Sequence, residues 1–377
     1  MIKFRLFIFV GLSFVEVVTL QHHVFAQKEK EKKKENVFLH PEKFYKKFFP
    51  GLRLKPNPPD SLYIKTYPNR LSVSVHLLSP SIRFNISPGN SNTPGASRFR
   101  TNVADIVGFN VGYRLVSAGF SFLLKSGIEA HDNYAKSNYH TATIKYNSGI
   151  YSFQFMYLNL KGLTDVNPSN SLAPGPYRER PDIVNKEYKF EGIYNPSWKK
   201  YSFIAPFTFT QRQLKSRFGF LFKAGVYYAQ LSGDSALVGR NQQHYYNDFN
   251  NVNVIRAVSI RLAPGAGGNF VFHKHYYLSG AFFPSYDLYL YKYLSSLSEK
   301  ANGKQAFAFV LDGKASLGYQ SQRFYTGLRY EVERRHASLQ SIQTNNVYSY
   351  LGLEIGYRFN APGFIKKGYK ETMPPGM

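Results

Sequence analysis

The stretch that decides the fold is residues 347–359, which read VYSYLGLEIGYRF. Apolar side chains recur at every second position through Leu351, Leu353 and Ile355, with small or polar residues between them. This period of two places alternate side chains on opposite faces of a β-strand. The stretch ends on the aromatic Phe359, as do terminal strands that barrel-insertion machinery reads, although a basic tail follows it here. We therefore expect a final membrane-facing strand.

The same alternation recurs along most of the chain, and no helical period competes with it. This pattern predicts an all-β fold, an antiparallel transmembrane β-barrel. Both ends of the barrel are expected in the periplasm, which requires an even number of strands, so we expect about 12, with 14 as the alternative. The further runs lie at 71–77, 82–86, 107–113, 151–157, 203–209, 220–228, 258–262, 307–317 and 324–330.

Connection length indicates which end of each strand faces the periplasm, because outer-membrane barrels have short periplasmic turns and longer outer loops. The predicted short turns, which mark the inner side, are 114–116, 147–149, 195–199, 273–275 and 320–323. The predicted long polar segments are 88–100, 161–185, 232–251, 291–305 and 334–345.

Three stretches disturb the regular pattern. The apolar phase changes between 71–77 and 82–86, which predicts a β-bulge near residues 78–80. The polar segment 211–216 lies between two strands that both run outward, so either it returns through the lumen as a poor strand or one element is misassigned. The glycine-rich run 264–268 predicts a bend in a strand or the close approach of an element in the lumen.

Export is predicted by the first 26 residues. Lys3 and Arg5 precede an apolar run shorter than the roughly 20 residues of a spanning helix, and small residues follow it, as in a cleavable signal peptide. The chain has no cysteine, so disulfides, thiolate chemistry and a lipoprotein anchor are excluded. The predicted organisation is a signal peptide at 1–26, a periplasmic arm at 27–69, the barrel at 70–359 and a basic tail at 360–377.

Aromatic content and charge narrow the class of protein and its partners. The 33 Phe and 30 Tyr fit a wall with aromatic girdles at two membrane interfaces. A net charge of +25 would suggest nucleic acid for a cytosolic protein, but export makes outer-membrane lipids and anionic envelope polymers the expected partners, and no nucleic acid. The expected location is the outer membrane of a Gram-negative bacterium, with barrel-insertion machinery as a further partner.

Several stretches resemble an uncharacterised family of Bacteroides-type bacteria that is known only as a domain of unknown function. They are Asp60–Ile64, Val111–Arg114 and, above all, Tyr201–Phe203 running on to Gln211–Ser216. The resemblance covers most of the mature chain. It implies an outer-membrane barrel and transfers no catalytic residue.

Charges gather on the polar face of the strands nearest the C-terminus, where neighbouring strands would bring them together inside the barrel. We expect a lattice of ion pairs that partly plugs the lumen, since buried charges require partners; the alternative is a constriction that selects solutes by charge. The expected function is therefore structural or transport-related. The cluster comprises Asp312, Lys314, Arg329, Glu331, Glu333, Glu354 and Arg358.

The alternative function is that of an outer-membrane lipid-modifying enzyme, although the sequence favours a protein without catalytic activity. His76 shares a polar face with Ser72 and Ser74, which makes these three weak candidates for the base and nucleophile of a lipid hydrolase or acyltransferase, yet no Gly-x-Ser-x-Gly motif surrounds them. His273 and His275 lie at a tight turn without nearby carboxylates or cysteines, so no metal site is predicted. No cofactor is predicted either.

Trp198 is the only tryptophan, and it lies in the turn Asn195–Lys200. Tryptophan is enriched where the membrane meets water. We expect Trp198 to anchor the wall at the inner interface, with the adjoining lysines facing headgroup phosphates.

Overall fold

The alternating strands close into an antiparallel barrel in this computed structural model, which describes residues 58–89, 95–103, 105–124, 133–167, 177–295 and 298–372. The predicted signal peptide, and the predicted arm as far as residue 57, lie outside the described residues. In chain order the strands are β1 (Ile64–Thr66), β2 (Arg70–Pro88), β3 (Ser97–Arg100), β4 (Ile106–Tyr113), β5 (Val116–Leu123), β6 (Asn138–Asn147), β7 (Tyr151–Asp165), β8 (Arg178–Tyr194), β9 (Gln211–Gln213), β10 (Arg217–Ser232), β11 (Val252–Phe272), β12 (Tyr276–Ser295), β13 (Ser298–Gln320), β14 (Phe324–Ser338) and β15 (Ile342–Asn360).

Helical structure is limited to short elements. Helix α1 (Ala205–Thr208) precedes β9, and helix α2 (Gly363–Thr372) follows the last strand. Two 3-10 turns, Arg240–Tyr245 and Asn247–Phe249, lie between β10 and β11. No helix in the described part of the chain is long and apolar enough to cross a membrane.

Twelve strands form the closed wall, which confirms the predicted fold class and strand number. Each strand pairs with its neighbour in sequence, and β15 closes the barrel on β2 through a ladder that runs from Asn360 opposite Arg70 to Ile342 opposite Pro88. The three remaining strands lie outside this count. β3 bridges the upper parts of β2 and β7, above the shorter strands β4 to β6, and β1 pairs with β9 as a separate two-stranded sheet.

The two ends of the barrel differ in their connections. At the end where the chain enters at Arg70 and leaves at Asn360, four turns are two or three residues long, and we call it the short-turn end; the opposite end is the long-loop end. The predicted long segments 291–305 and 334–345 are wrong in this respect. Both are mostly strand, because β12 continues to Ser295, β13 begins at Ser298, β14 continues to Ser338 and β15 begins at Ile342.

An apolar belt surrounds the outside of the barrel towards the short-turn end. Its side chains are 45–83% exposed although they are large and apolar, as expected for residues that face lipid rather than water. They include Val75, Phe109, Phe120, Phe190, Phe218, Phe220, Leu262, Phe270, Leu278, Phe282, Leu317, Leu328, Leu353 and Ile355.

Towards the long-loop end the apolar side chains point inward instead. Ile82, Phe84 and Ile86 of β2 are buried, and they belong to a core that also holds Tyr246 and Phe249 from the β10–β11 connection. The bulge predicted near residues 78–80 is therefore wrong: β2 pairs with β15 without interruption, and its even-numbered residues face inward throughout. What changes along β2 is the interior of the barrel, which is polar towards the short-turn end and apolar towards the long-loop end.

Candidate functional site

A plug fills the lumen at the short-turn end. It is the connection between β8 and β10, and it turns into the barrel at Tyr201 and returns through α1 and β9. Its side chains Tyr201, Phe203 and Phe207 are buried, and Phe203 packs edge-to-face against Phe283 of the wall at 6.2 Å between ring centroids. The strand predicted over 203–209 is thus wrong, since these apolar residues pack inside the barrel and not in its wall.

Polar side chains of the wall bind the backbone carbonyls of the plug. This arrangement satisfies acceptors that would otherwise be buried without a donor. Asn269 Nδ2 donates to Ser202 O at 2.8 Å, and Gln320 Nε2 donates to Ala205 O at 2.7 Å. Arg329 Nη1 donates to Phe207 O at 2.9 Å, and Arg358 Nη2 donates to Phe209 O at 2.7 Å.

Glycines in the wall make room for the plug. At Gly267 an added Cβ would lie 2.3 Å from the hydroxyl oxygen of Tyr201 in the plug. At Gly265 it would lie 2.3 Å from the ring of Phe283, the wall residue against which Phe203 of the plug packs. The glycine-rich run therefore serves the close approach of a lumen element, and β11 continues through it.

Arg358 is the one predicted lumen charge that lies apart from the others. Its guanidinium is buried over the ring of Tyr67 at 4.1 Å and that of Tyr325 at 4.6 Å, and it donates to the plug at Phe209. Phe209 has a positive φ of 56°, a conformation that non-glycine residues adopt at a cost. Arg358 thus stabilises the turn of the plug and does not belong to the charge lattice.

The other six predicted charges lie above the plug in a layer of ion pairs that crosses the lumen, the charge lattice. Lys314 pairs with Glu331 at 3.0 Å, and Arg329 pairs with Glu354. Asp312 and Glu333 have partners that the sequence analysis missed. These contacts are Lys223–Asp312 at 2.7 Å, Arg261–Glu333 at 3.2 Å and Arg335–Glu333 at 2.8 Å.

Arg261 lies at the centre of the charge lattice. It and Asp287 are both fully buried, and they pair at 2.9 Å with further contacts from Arg261 Nε to both carboxylate oxygens of Asp287. The sequence could have predicted the inward direction of Arg261, because it lies between the outward-facing Ile260 and Leu262 on a strand. The same logic applies to Lys223, between Phe222 and Ala224.

The three weak enzyme candidates do not come together as a nucleophile and base. Ser72 Oγ donates to Gly112 O at 3.0 Å, and Ser74 Oγ donates to Glu354 Oε1 at 2.6 Å. His76 Nε2 instead contacts Ser121 Oγ at 2.8 Å. The hydrogen-bond partner of His76 is therefore Ser121, on the neighbouring strand β5, while Ser72 and Ser74 bond to other groups.

Both ring nitrogens of His76 have hydrogen-bond partners. Asn110 Nδ2 lies 3.1 Å from His76 Nδ1 and 3.4 Å from Glu354 Oε1, so the amide nitrogen donates to both. With the amide in this orientation Nδ1 accepts and Nε2 donates, so His76 joins Asn110 and Ser121 in one hydrogen-bonded network.

A polar cavity of about 210 Å³ lies between the plug and the upper core. Small residues of the facing wall line it, among them Ser117, Ala118, Gly119 and Ser121. Thr141, Thr143, Gln154 and Glu331 are among the other lining side chains, together with Lys145, Phe207 and Tyr350.

The remaining predicted positions lie at the short-turn end. Trp198 is half-buried in its turn, with Lys199 Nζ 5.9 Å from its ring, and Lys199 is exposed. His275 Nδ1 contacts Gln320 O at 3.0 Å and Arg212 Nη1 at 3.3 Å, which are protein partners. Within the described ranges, no cluster of three or more metal-ligating side chains occurs.

The sequence was compared with models of known protein families, and one of them matches most of the chain. The sequence matches the domain of unknown function DUF4421 over residues 58–359. This chain belongs to that family. The resemblance noted in the sequence is thereby confirmed, and no protein with a curated functional description matches the chain.

Solved structures with similar folds are outer-membrane barrels. The outer membrane protease OmpT from Escherichia coli has 9% identity and a TM-score of 0.38, with 78% of this chain and 98% of that chain covered. The translocator domain of the autotransporter NalP from Neisseria meningitidis has 12% identity and a TM-score of 0.34, with 77% and 88% covered. An outer membrane channel from Pseudomonas putida F1 has 8% identity and a TM-score of 0.32, with 80% and 100% covered. These values are too low to transfer a role.

Proposed function

We propose that this member of the family is an outer-membrane barrel of the transport type that its own plug keeps closed at rest. The apolar belt supports insertion in a membrane, because only lipid makes the exposure of so many large apolar side chains favourable. The short turns and long loops support an orientation with the short-turn end towards the periplasm. Outer-membrane lipids are the corresponding partners, and insertion machinery that reads the terminal strand is another.

The observation that carries the proposal is that one connection of the wall occupies the lumen. The plug closes the short-turn end, and the charge lattice spans the barrel above it, with opposite signs paired throughout. A selective constriction usually presents one sign of charge to a water path. Balanced, paired charges therefore favour a closed lumen over an open pore.

The cavity between the plug and the upper core favours transport over a purely structural role. A barrel that served only as a scaffold would gain stability from a filled interior, because a void forfeits packing contacts. The cavity also presents the side chain of Lys145, beside hydroxyls of Thr141 and Thr143. We propose a small polar solute as its occupant when the plug is displaced.

Planar-bilayer recordings test this proposal. The wild-type barrel should show no steady open level, whereas replacing residues 202–210 by a glycine-serine linker should produce steady openings. Arg358→Gln, which removes two donors from the carbonyl of Phe209, should give brief openings with the barrel intact. Arg323→Gln serves as a control, since Arg323 is exposed at the same end and contacts Tyr357, which is not part of the plug.

Folding of each variant is checked by heat-dependent gel mobility, because the closed ladder of backbone hydrogen bonds resists detergent until boiled. A large, ion-selective conductance of the wild type would contradict the closed state. Barrels that stay sealed without the plug would show that the plug is not the gate.

A further inference from the structure

Three cations surround one tyrosine at the short-turn end. The ring centroid of Tyr63 lies 5.4 Å from Lys200 Nζ, 5.2 Å from Lys215 Nζ and 4.8 Å from Arg217 Cζ. We call these four residues the Tyr63 cage. Cation–π attraction explains why each cation lies near the ring, but it does not remove the mutual repulsion of three like charges. The three cations of the cage therefore need a nearby negative charge to offset their repulsion.

No counter-ion neutralises the cage from within the described part of the chain. Lys200, Lys215 and Arg217 have no carboxylate oxygen within the 4.0 Å limit of an ion pair there. Asp60 is the acid nearest to Tyr63 in sequence, and its carboxylate accepts the backbone N–H of Leu62 at 2.9 Å. The cage thus presents unneutralised positive charge to its surroundings.

The cage is held in place by one buried amide. Gln213 Nε2 lies 2.7 Å from Lys200 O, 3.0 Å from Lys215 O and 3.2 Å from Tyr63 O. The three backbones are therefore tied together through a side chain that is itself buried. Such preorganisation lowers the entropic cost of binding a ligand between them.

Arg217 couples the cage to the phenol of Tyr63. Its Nη2 donates to the hydroxyl oxygen at 2.8 Å. The same guanidinium lowers the pKa of the Tyr63 hydroxyl, with a smaller contribution from Lys200 and Lys215. The electrostatic potential at the cage is accordingly one that favours negative charge.

The location of the cage points to lipid as the source of that charge. Arg217 is the first residue of β10, and the next residue, Phe218, is 83% exposed at the edge of the apolar belt. Leu62, next to Tyr63, is 65% exposed. Exposed apolar side chains beside cations are typical of the zone where acyl chains meet headgroups.

We propose that the Tyr63 cage binds the phosphate of an anionic phospholipid in the leaflet at the short-turn end. The ammonium groups of Lys200 and Lys215 and the guanidinium of Arg217 donate to the phosphate oxygens, while Phe218 and Leu62 contact the acyl chains. This site does not depend on the proposed gating of the lumen.

Native mass spectrometry of the detergent-solubilised barrel tests the site with phosphatidylglycerol and phosphatidylcholine. The wild type should retain one phosphatidylglycerol in preference to phosphatidylcholine. The triple variant Lys200→Gln, Lys215→Gln, Arg217→Gln should lose on the order of a hundredfold in affinity, since each basic residue near an anionic headgroup contributes on the order of a fivefold factor. Arg217→Gln alone, a smaller perturbation, should lose about fivefold.

A matched control removes the same charge elsewhere at this end. Lys274→Gln, Arg323→Gln, Lys366→Gln neutralises three exposed cations outside the cage and should leave binding unchanged. Equal losses in the two triple variants would reduce the effect to general surface charge and overturn the proposal, as would equal retention of the two lipids by the wild type. Displacement of the lipid by soluble polyphosphate at a lower concentration would assign the cage to an anionic polymer instead.

Discussion

The two halves of β2 place the same kind of residue on opposite sides of the barrel wall. Near the short-turn end the apolar Val75 and Leu77 face outward, and the polar Ser74 and His76 face the lumen. Near the long-loop end the apolar Ile82 faces inward instead. The strand itself is continuous, so the exchange follows from the surroundings. Lipid outside the lower half and water outside the upper half reverse which face favours apolar side chains.

The comparison shows that alternation identifies a strand without identifying its lipid-facing side. In the upper half the loop residues Tyr246 and Phe249 supply an apolar interior, as in a soluble protein. In the lower half the lumen holds the plug and the charge lattice. Substitutions in the lattice, the upper core and the belt should therefore have different costs.

The largest effect is expected in the charge lattice, between the two halves. Arg261→Met should cost about 5 kcal/mol of folding stability, because it leaves the buried Asp287 without a cation. Adding Asp287→Leu should recover most of that loss, since Glu333 retains Arg335 and Asp312 retains Lys223. Urea unfolding of the barrel in detergent micelles measures both. A double variant no more stable than the single one would show that the lattice is not held by pairing.

Next in size is the effect of opening a cavity in the upper core. Phe249→Ala should cost about 3–4 kcal/mol, because Phe249 is fully buried and the site cannot collapse completely. The control is Phe220→Ala in the belt, which should cost less than about 1 kcal/mol since lipid can occupy the space. The same unfolding measurement compares them. Similar costs at the two positions would mean that Phe220 is not facing lipid.

The smallest effect of the three concerns two adjacent residues on opposite faces of β7. Phe155→Arg should impair insertion by about 2–4 kcal/mol, because it places a charge on the lipid-facing side near mid-bilayer. Gln154→Arg places the same charge in the polar cavity, between Glu191 on β8 and Lys145 on β6, and should cost less than the change at Phe155. Folding yield into vesicles measures the difference. Equal yields would refute the facing assigned to β7.

Sequence reasoning failed where apolar alternation had another cause. Residues 203–209 alternate like a strand, but Pro206 lies in α1, and the apolar side chains pack inside the barrel. Without that false strand the number of wall strands is consistent, because β8 ends and β10 begins at the short-turn end of the barrel. Nothing local distinguishes a plug from a wall, since both bury one apolar face.

The sequence by itself determined the barrel and the inward direction of the charges at Asp312, Lys314, Glu331 and Glu354, because a period of two is a local property of the chain, and it left the strand number between 12 and 14. Only the tertiary structure decided which charges meet and what fills the lumen. Arg261 pairs with Glu333 across 72 positions, and Lys223 pairs with Asp312 across 89. Such contacts depend on closure of the barrel and on the shear between its strands, which no local pattern specifies.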